Sequence, residues 1–118
     1  MAKKIMIVDD EPDIRTPIKE VLERNGYDVV TAVSADDCLK KVQKGEKPDL
    51  ILMDIVMPGT PVREIIPKLG KIKIAYLSVV RVSEAEKKDL MKSRNIVDII
   101  QKPFELSELQ ERVKKLVG

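Results

Sequence analysis

Two short apolar runs, Ile5-Met6-Ile7-Val8 and Leu50-Ile51-Leu52-Met53, each end in carboxylates: Asp9-Asp10 after the first, Asp54 after the second. Four apolar residues bounded by turn formers are too few for a helix and read as a strand buried on both faces. Strands of that kind belong to parallel sheets covered by helices. In an open sheet of this type the ligand crevice lies at the carboxyl ends of the strands, where the direction of connection reverses. The carboxylates of the two runs can meet there. Crowded carboxylates repel one another unless a cation sits among them.

Between these runs the hydrophobic period changes to that of helices. Pro12 opens a segment with Ile14, Ile18, Val21 and Leu22 on one face, closed by Asn25-Gly26, with Pro17 early enough to be tolerated. Tyr27 to Thr31 reads as a second strand. Ser34 is placed as an N-cap of a second helix, with Cys38, Leu39 and Val42 as its buried stripe and a stop at Gly45. Pro48-Asp49 restarts a strand through Met53. Pro61 and Pro67 bracket a short third helix ending near Gly70, and Ile72 to Leu77 forms the fourth strand, followed by Ser78. Ser83 and Glu86 have capping-box spacing, opening a fourth helix whose inner face takes Leu90 and Met91. Ile96 to Ile100 is the fifth strand, Lys102-Pro103-Phe104 a turn, and Leu106, Leu109, Val113 and Leu116 space a last helix.

Five strands alternating with five helices predict an α/β fold: one three-layer, doubly wound domain with a parallel sheet, each crossover right-handed. The expected strand order is 2-1-3-4-5. The reversal then falls between strands 1 and 3, the two that end in Asp9-Asp10 and Asp54.

Composition narrows the partners. Lys plus Arg number 22 and Asp plus Glu 20 in 118 residues, a net +2 that points to neither nucleic acid nor an acidic membrane surface. Lysine pairs such as Lys87-Lys88 and Lys114-Lys115 read as solvated helix faces, since no aromatic residues interleave them. No apolar stretch approaches the roughly 20 residues that cross a bilayer. The single Cys38 cannot form an internal disulfide and the N-terminus lacks a leader pattern, so a reducing, cytoplasmic setting is expected. With no His, imidazole metal sites and His-based triads are excluded.

Val8-Asp9-Asp10-Glu11, the segment Leu52-Met53-Asp54-Ile55-Val56-Met57-Pro58-Gly59, Ser78 after strand 4 and Lys102-Pro103-Phe104 after strand 5 together resemble the receiver domain of two-component response regulators. The resemblance covers residues 1–118 as one domain and implies the flavodoxin-like (βα)5 fold. It implies that Asp54 accepts a phosphoryl group from a histidine kinase or phosphotransfer protein, as carboxylates form acyl phosphates elsewhere. It implies Mg²⁺ (or Mn²⁺) on Asp10, Asp54 and the backbone carbonyl of Val56, with Asp9 acting mainly through water. Lys102 and Ser78 are expected to contact phosphoryl oxygens, and the Lys102-Pro103 bond to be cis. The chain then reads as a stand-alone signalling protein, not an enzyme in its own right, which changes its affinity for a downstream protein.

Each residue also has a plainer reading. Asp54 could start a turn, Asp9 or Asp10 could cap the following helix, and Lys102 or Ser78 could be ordinary strand-end residues. Cys38 and the methionines read as core. Two departures from the receiver pattern favour an alternative, a diverged receiver acting as a phosphate-independent interaction module. The strand 5 position that often carries a switching Tyr or Phe is Ile99, and the residue after Ser78, usually small, is Val79. Pro61-Val62 also replaces the usual Asp-Gly, and the interval from Ser78 to Lys102 is slightly long. An aspartyl phosphatase would need an acid at Val56, a flavin binder a loop without Asp9-Asp10-Glu11, and a P-loop a Gly-Lys-Ser/Thr sequence that is absent.

Overall fold

A computed structural model describes residues 2–55, 59, 61–78, 83–93 and 95–117, with the backbone alone at 86, 87 and 90. Strands β1 (Lys4–Val8), β2 (Asp28–Ala32), β3 (Leu50–Asp54), β4 (Lys73–Ser78) and β5 (Ile96–Gln101) alternate with helices α1 (Pro12–Arg24), α2 (Ala35–Gln43), α3 (Val62–Ile65), α4 (Glu84–Leu90) and α5 (Leu106–Val117). The strands form one parallel sheet in the order β2-β1-β3-β4-β5. This is the three-layer, doubly wound architecture expected from the alternation.

The apolar runs explain which strands are central. Every residue of Ile5–Val8 and Leu50–Met53 is fully buried. Successive side chains of a strand point to opposite faces, so Met6, Val8, Ile51 and Met53 join one core with Ala35 and Cys38 of α2 and Val62 and Ile65 of α3. Ile5, Ile7, Leu50 and Leu52 join the other core, with Ile18 and Leu22 of α1 and Leu109 and Val113 of α5. The chain leaves β1 toward β2, then crosses back over β1 to reach β3. That reversal places the carboxyl ends of β1 and β3 side by side, with Val8 opposite Met53.

Local signals account for the helix ends. Pro12 occupies the first turn of α1, where its missing N–H costs least, and the helix runs unbroken through Pro17. Gly26 then takes φ +88°, while the Tyr27 and Asn25 N–H groups close on the Leu22 carbonyl. Ser34 caps α2 as expected, its hydroxyl accepting from Asp37 N–H at 3.0 Å. Asp37 in turn accepts from Val33 N–H at 3.0 Å. That bond, the largest influence, holds the Asp37 carboxyl below its usual range.

Four expectations shift. Pro67 cannot donate the N–H that an α-helix needs, so α3 stops at Ile65 and continues as a 3₁₀ turn, Ile66–Leu69. Asp54 and Ser78 do not follow their strands but are the last residues within them. Met91 does not join the inner face of α4: it lies past the helix end and is 37% exposed. Leu106, the first of the apolar residues that space α5, is 38% exposed and does not share the burial of Leu109 and Val113. The Leu90 side chain and the Ser83–Glu86 capping box, along with Met57-Pro58 and Val79, fall outside the described residues.

Replacing Ser34 by Ala is expected to lower stability by about 1 kcal/mol, read from urea denaturation. The Asp37 carboxyl ionises more readily folded than unfolded, so its tie stabilises above the unfolded value. The contribution is lost as pH falls through the lowered folded value, and Asp37→Asn should flatten that part of a stability–pH curve. Burial pushes the Cys38 thiol up to about 12. Iodoacetamide at pH 8 should therefore leave the native thiol untouched and modify it in concentrated urea.

Candidate functional site

Among the described residues, four polar or charged side chains are buried: Asp9, Asp54, Ser78 and Lys102. All four were singled out in the sequence, and all lie at or just beyond strand carboxyl ends. Burying an ionised group is costly unless it is paired, so their grouping demands a physical partner for each charge.

Lys102 supplies it. Its ammonium lies 2.9 Å from Asp9 Oδ2 and 3.5 Å from Asp54 Oδ2. The position is set by backbone: Lys102 N–H donates to the Ser78 carbonyl at 2.6 Å, extending the β4–β5 pairing by one residue. Gln101 adds to this through its side-chain amide, which donates to the Ser78 and Lys102 carbonyls at 3.1 and 3.0 Å. The Lys102-Pro103 peptide is cis, as expected.

Asp9 is held more firmly than the sequence suggested. It is fully buried, its N–H donates to the Ala32 carbonyl at 3.2 Å, and its Oδ1 accepts from Glu11 N–H at 3.0 Å. Arg15, one turn into α1, donates to the Asp9 carbonyl at 2.5 Å. Neither aspartate caps α1, whose N-cap is Glu11 without a side-chain bond. Asp54 is fixed by the β3–β4 ladder, opposite Leu77, with Ile55 N–H donating to the Leu77 carbonyl at 3.1 Å.

Asp10 is exposed, yet it reaches the same point: oxygens of Asp9, Asp10 and Asp54 lie within 4.8 Å of one another. A small divalent cation with oxygen ligands at about 2.1 Å places opposite ligands about 4.2 Å apart, so the three carboxylates fit one with little adjustment. Among the described residues, the three carboxylates have Lys102 as the ammonium in direct contact, which leaves the cluster short of positive charge. Ser78 stands at the rim through its backbone bond to Lys102, on the neighbouring strand to Asp54. Val56 falls outside the described residues. Sequence reading missed Arg15 and Gln101. Only their spacing from Asp9 and Lys102 could have marked them, because their contacts are to backbone and any donor of suitable length serves.

A buried carboxylate beside a fixed ammonium, with acidic groups that could hold a dication, is the kind of equipment that phosphoryl transfer uses. The sequence matches the family described as the response regulator receiver domain over residues 5–114. The chain belongs to this family. The receiver is 36% identical, over 99% of its length, to the alkaline phosphatase synthesis transcriptional regulatory protein PhoP of Bacillus subtilis, of which it spans about half (49%). It is 32% identical to sporulation initiation phosphotransferase F of the same organism, covering 98% of this chain and 94% of that protein. Among solved structures it resembles the chemotaxis protein CheY4 of Vibrio cholerae, with TM-score 0.84, 26% identity and coverage of 98% and 99%. It also resembles the response regulator TrrA of Thermotoga maritima in complex with Mg²⁺-BeF, with TM-score 0.79, 36% identity and coverage of 97% and 98%. The receiver is thus a domain of two-component signalling with a flavodoxin-like fold. No helix among the described residues is long and apolar enough to cross a membrane.

Opposite signs are expected from two substitutions in the absence of divalent ions. Lys102→Ala removes the ammonium paired with two buried carboxylates and should cost about 3–5 kcal/mol. Asp10→Asn relieves repulsion without breaking the Lys102 pairs and should leave the protein modestly more stable. Urea midpoints in EDTA read both.

Proposed function

We propose that Asp54 accepts a phosphoryl group from the histidine of a partner kinase or phosphotransfer protein, and that residues 1–118 act as one receiver unit whose affinity for a target protein changes as a result. The observation that carries this reading is the burial of Asp9, Asp54, Ser78 and Lys102 together at the sheet's switch point. A turn-forming Asp or a surface Lys would have no reason to be buried there.

Asp54 Oδ would attack phosphorus as the donor's P–N bond breaks, leaving an acyl phosphate on Asp54 and neutral imidazole on the donor after protonation. Lys102, within 3.5 Å of Asp54 Oδ2, would turn part of its charge to a phosphoryl oxygen. The Ser78 hydroxyl would donate to another, and such bonds to charged groups are the strong ones. Asp9, Asp10, Asp54 and the Val56 carbonyl would hold Mg²⁺ (or Mn²⁺), with Asp9 contributing mainly through water. When bound, this cation supplies charge neutralisation for an anionic donor approaching a cluster of carboxylates. Fixed on strand ends, these groups need little reorganisation at the moment of transfer.

A protein donor also needs a place to dock. A groove of about 440 Å³ runs beside Lys102 between α1 and the start of α5, with Ile14, Pro17, Phe104 and Leu106 in its lining. Exposed Leu106 makes sense there, and the mostly apolar walls suit a protein partner. The phosphate-independent interaction module remains the second reading, favoured by Ile99 at the switch position.

Incubation with a small phosphodonor and Mg²⁺ should give a hydroxylamine-labile phosphoryl adduct by intact mass, absent from Asp54→Asn. Ser78→Ala should form it roughly ten- to a hundredfold more slowly, the worth of one hydrogen bond to a charged group. An unmodified wild-type protein that nevertheless binds Mg²⁺ would leave the interaction module standing.

A further inference from the structure

With Ile at position 99, some other group must connect the phosphoacceptor site to the surface. Ile99 is half-buried, and its partner across the β4–β5 ladder is Tyr76. Tyr76 lies two residues before Ser78 on β4, so the two side chains share a face of the sheet about 7 Å apart along the strand. That face is covered by α2 and α3, and both Tyr76 and Ile99 pack into its core. The aromatic ring lacking on β5 is therefore present one strand inward, directly behind Ser78.

The ring does not end in the core. Although Tyr76 is only 3% exposed, it forms part of the wall of a cleft of about 180 Å³, together with Arg63 of α3, Ile66 of the 3₁₀ turn, Asp89 of α4 and Ser93 just beyond that helix. Arg63 Nη2 and Asp89 Oδ2 stand 3.5 Å apart across this cleft. Both side chains are more than half exposed, so the pair is a loose clasp that solvent can open. Burial pushes the Tyr76 hydroxyl's pKa up, with the Arg63 charge opposing it. A tyrosine with an apolar body in the core and a polar tip at a charged cleft links that core to the surface.

We propose that Tyr76 carries the state of the Asp54 site to the α3–α4 cleft, so that loading the site is read on that face. The inference rests on Ser78 engaging the phosphoryl group as described above. A hydroxyl drawn toward that group shifts the end of β4. The close-packed core cannot absorb the shift, because a planar ring moves as a rigid body. Displacement of the ring edge changes the floor of the cleft and the fit of the Arg63–Asp89 clasp above it. Ile99, short and stiff at its branched Cβ, accommodates the ring without transmitting the movement itself.

The test uses the chain's two tyrosines, Tyr27 and Tyr76. The protein is labelled with 3-fluorotyrosine and its ¹⁹F spectrum followed as Mg²⁺ and beryllium fluoride are added, with Tyr76→Phe assigning the signals. The Tyr76 resonance is expected to shift or to be replaced by a second one, while Tyr27, packed in the opposite core, stays in place. In a parallel experiment with ¹³C-methyl methionine, Tyr76→Leu should keep its capacity to form the Asp54 adduct and lose at least half of the Met91 methyl shift seen on loading. A site that loads, by adduct mass, while the Tyr76 resonance stays fixed overturns this inference and leaves the function intact. The same holds if Tyr76→Leu leaves the Met91 response undiminished. A site that does not load removes both.

Discussion

The Lys102 ammonium, wedged between Asp9 and Asp54, is the contact on which the rest of the site depends. Two ionised carboxylates buried at adjacent strand ends would separate or take up protons if nothing offset their charge. Lys102 offsets part of it, and reaches them because its own N–H continues the ladder onto the Ser78 carbonyl. One backbone bond thus fixes the ammonium, the serine strand end and, through β3–β4 pairing, the Asp54 carboxylate in a common frame. The neutralisation is incomplete, since Asp10 brings a third carboxylate to the same point. The resulting deficit of positive charge is structurally expensive and chemically useful: a cluster in that condition favours a dication and, with it, an anionic group that the dication can share.

Most of this arrangement was legible in the amino-acid sequence because it follows from strong, local rules. Burial on both faces of β1 and β3 is written in their unbroken apolar runs. Right-handed crossovers and the alternation of periods give the doubly wound class, and within it the order 2-1-3-4-5 is the one that sets the two acidic strand ends side by side. Asp9 and Asp54 stood out by ending apolar runs, Ser78 and Lys102 through the resemblance to receiver domains, and the structure brings all four together in burial. Other features were silent for identifiable reasons. Asp54 and Ser78 lie inside their strands, because ladder pairing continues one residue past the last apolar side chain. Pro67 turned a short helix into an α-turn followed by a 3₁₀ turn. In β5 a register shift lets Ile74 and Ala75 face Ile96 and Asp98, so Val97 is an extra residue, and nothing in Ile-Val-Asp-Ile-Ile announces it. Arg15 and Gln101 act on carbonyls, a role many polar residues can fill.

The shift in β5 bears on how the domain communicates. It turns Asp98 toward Arg112 of α5, at 3.2 Å, and Ile99 toward the core shared with Tyr76. The strand that commonly carries an aromatic in this family is here tied to α5 and lined with aliphatic groups. The ring lies instead on β4, in the same strand as Ser78. Reception and readout would then share one strand, with the charged cleft between α3 and α4 as the exit. On this proposal reception at Asp54 and readout through Tyr76 are distinct, and the two can be separated by experiment.

In this picture the carboxylate cluster is an under-neutralised cation site held in place by Lys102. Urea denaturation across a series of MgCl₂ concentrations, at constant ionic strength, tests it most directly. A ligand that binds the native state alone stabilises it by about 2.7 kcal/mol at a hundred times its dissociation constant. The wild-type midpoint should therefore climb steadily with Mg²⁺, and the Asp10→Asn midpoint, starting higher, should climb far less. A wild-type midpoint indifferent to Mg²⁺, or an Asp10→Asn midpoint that rises in parallel with it, would contradict the account.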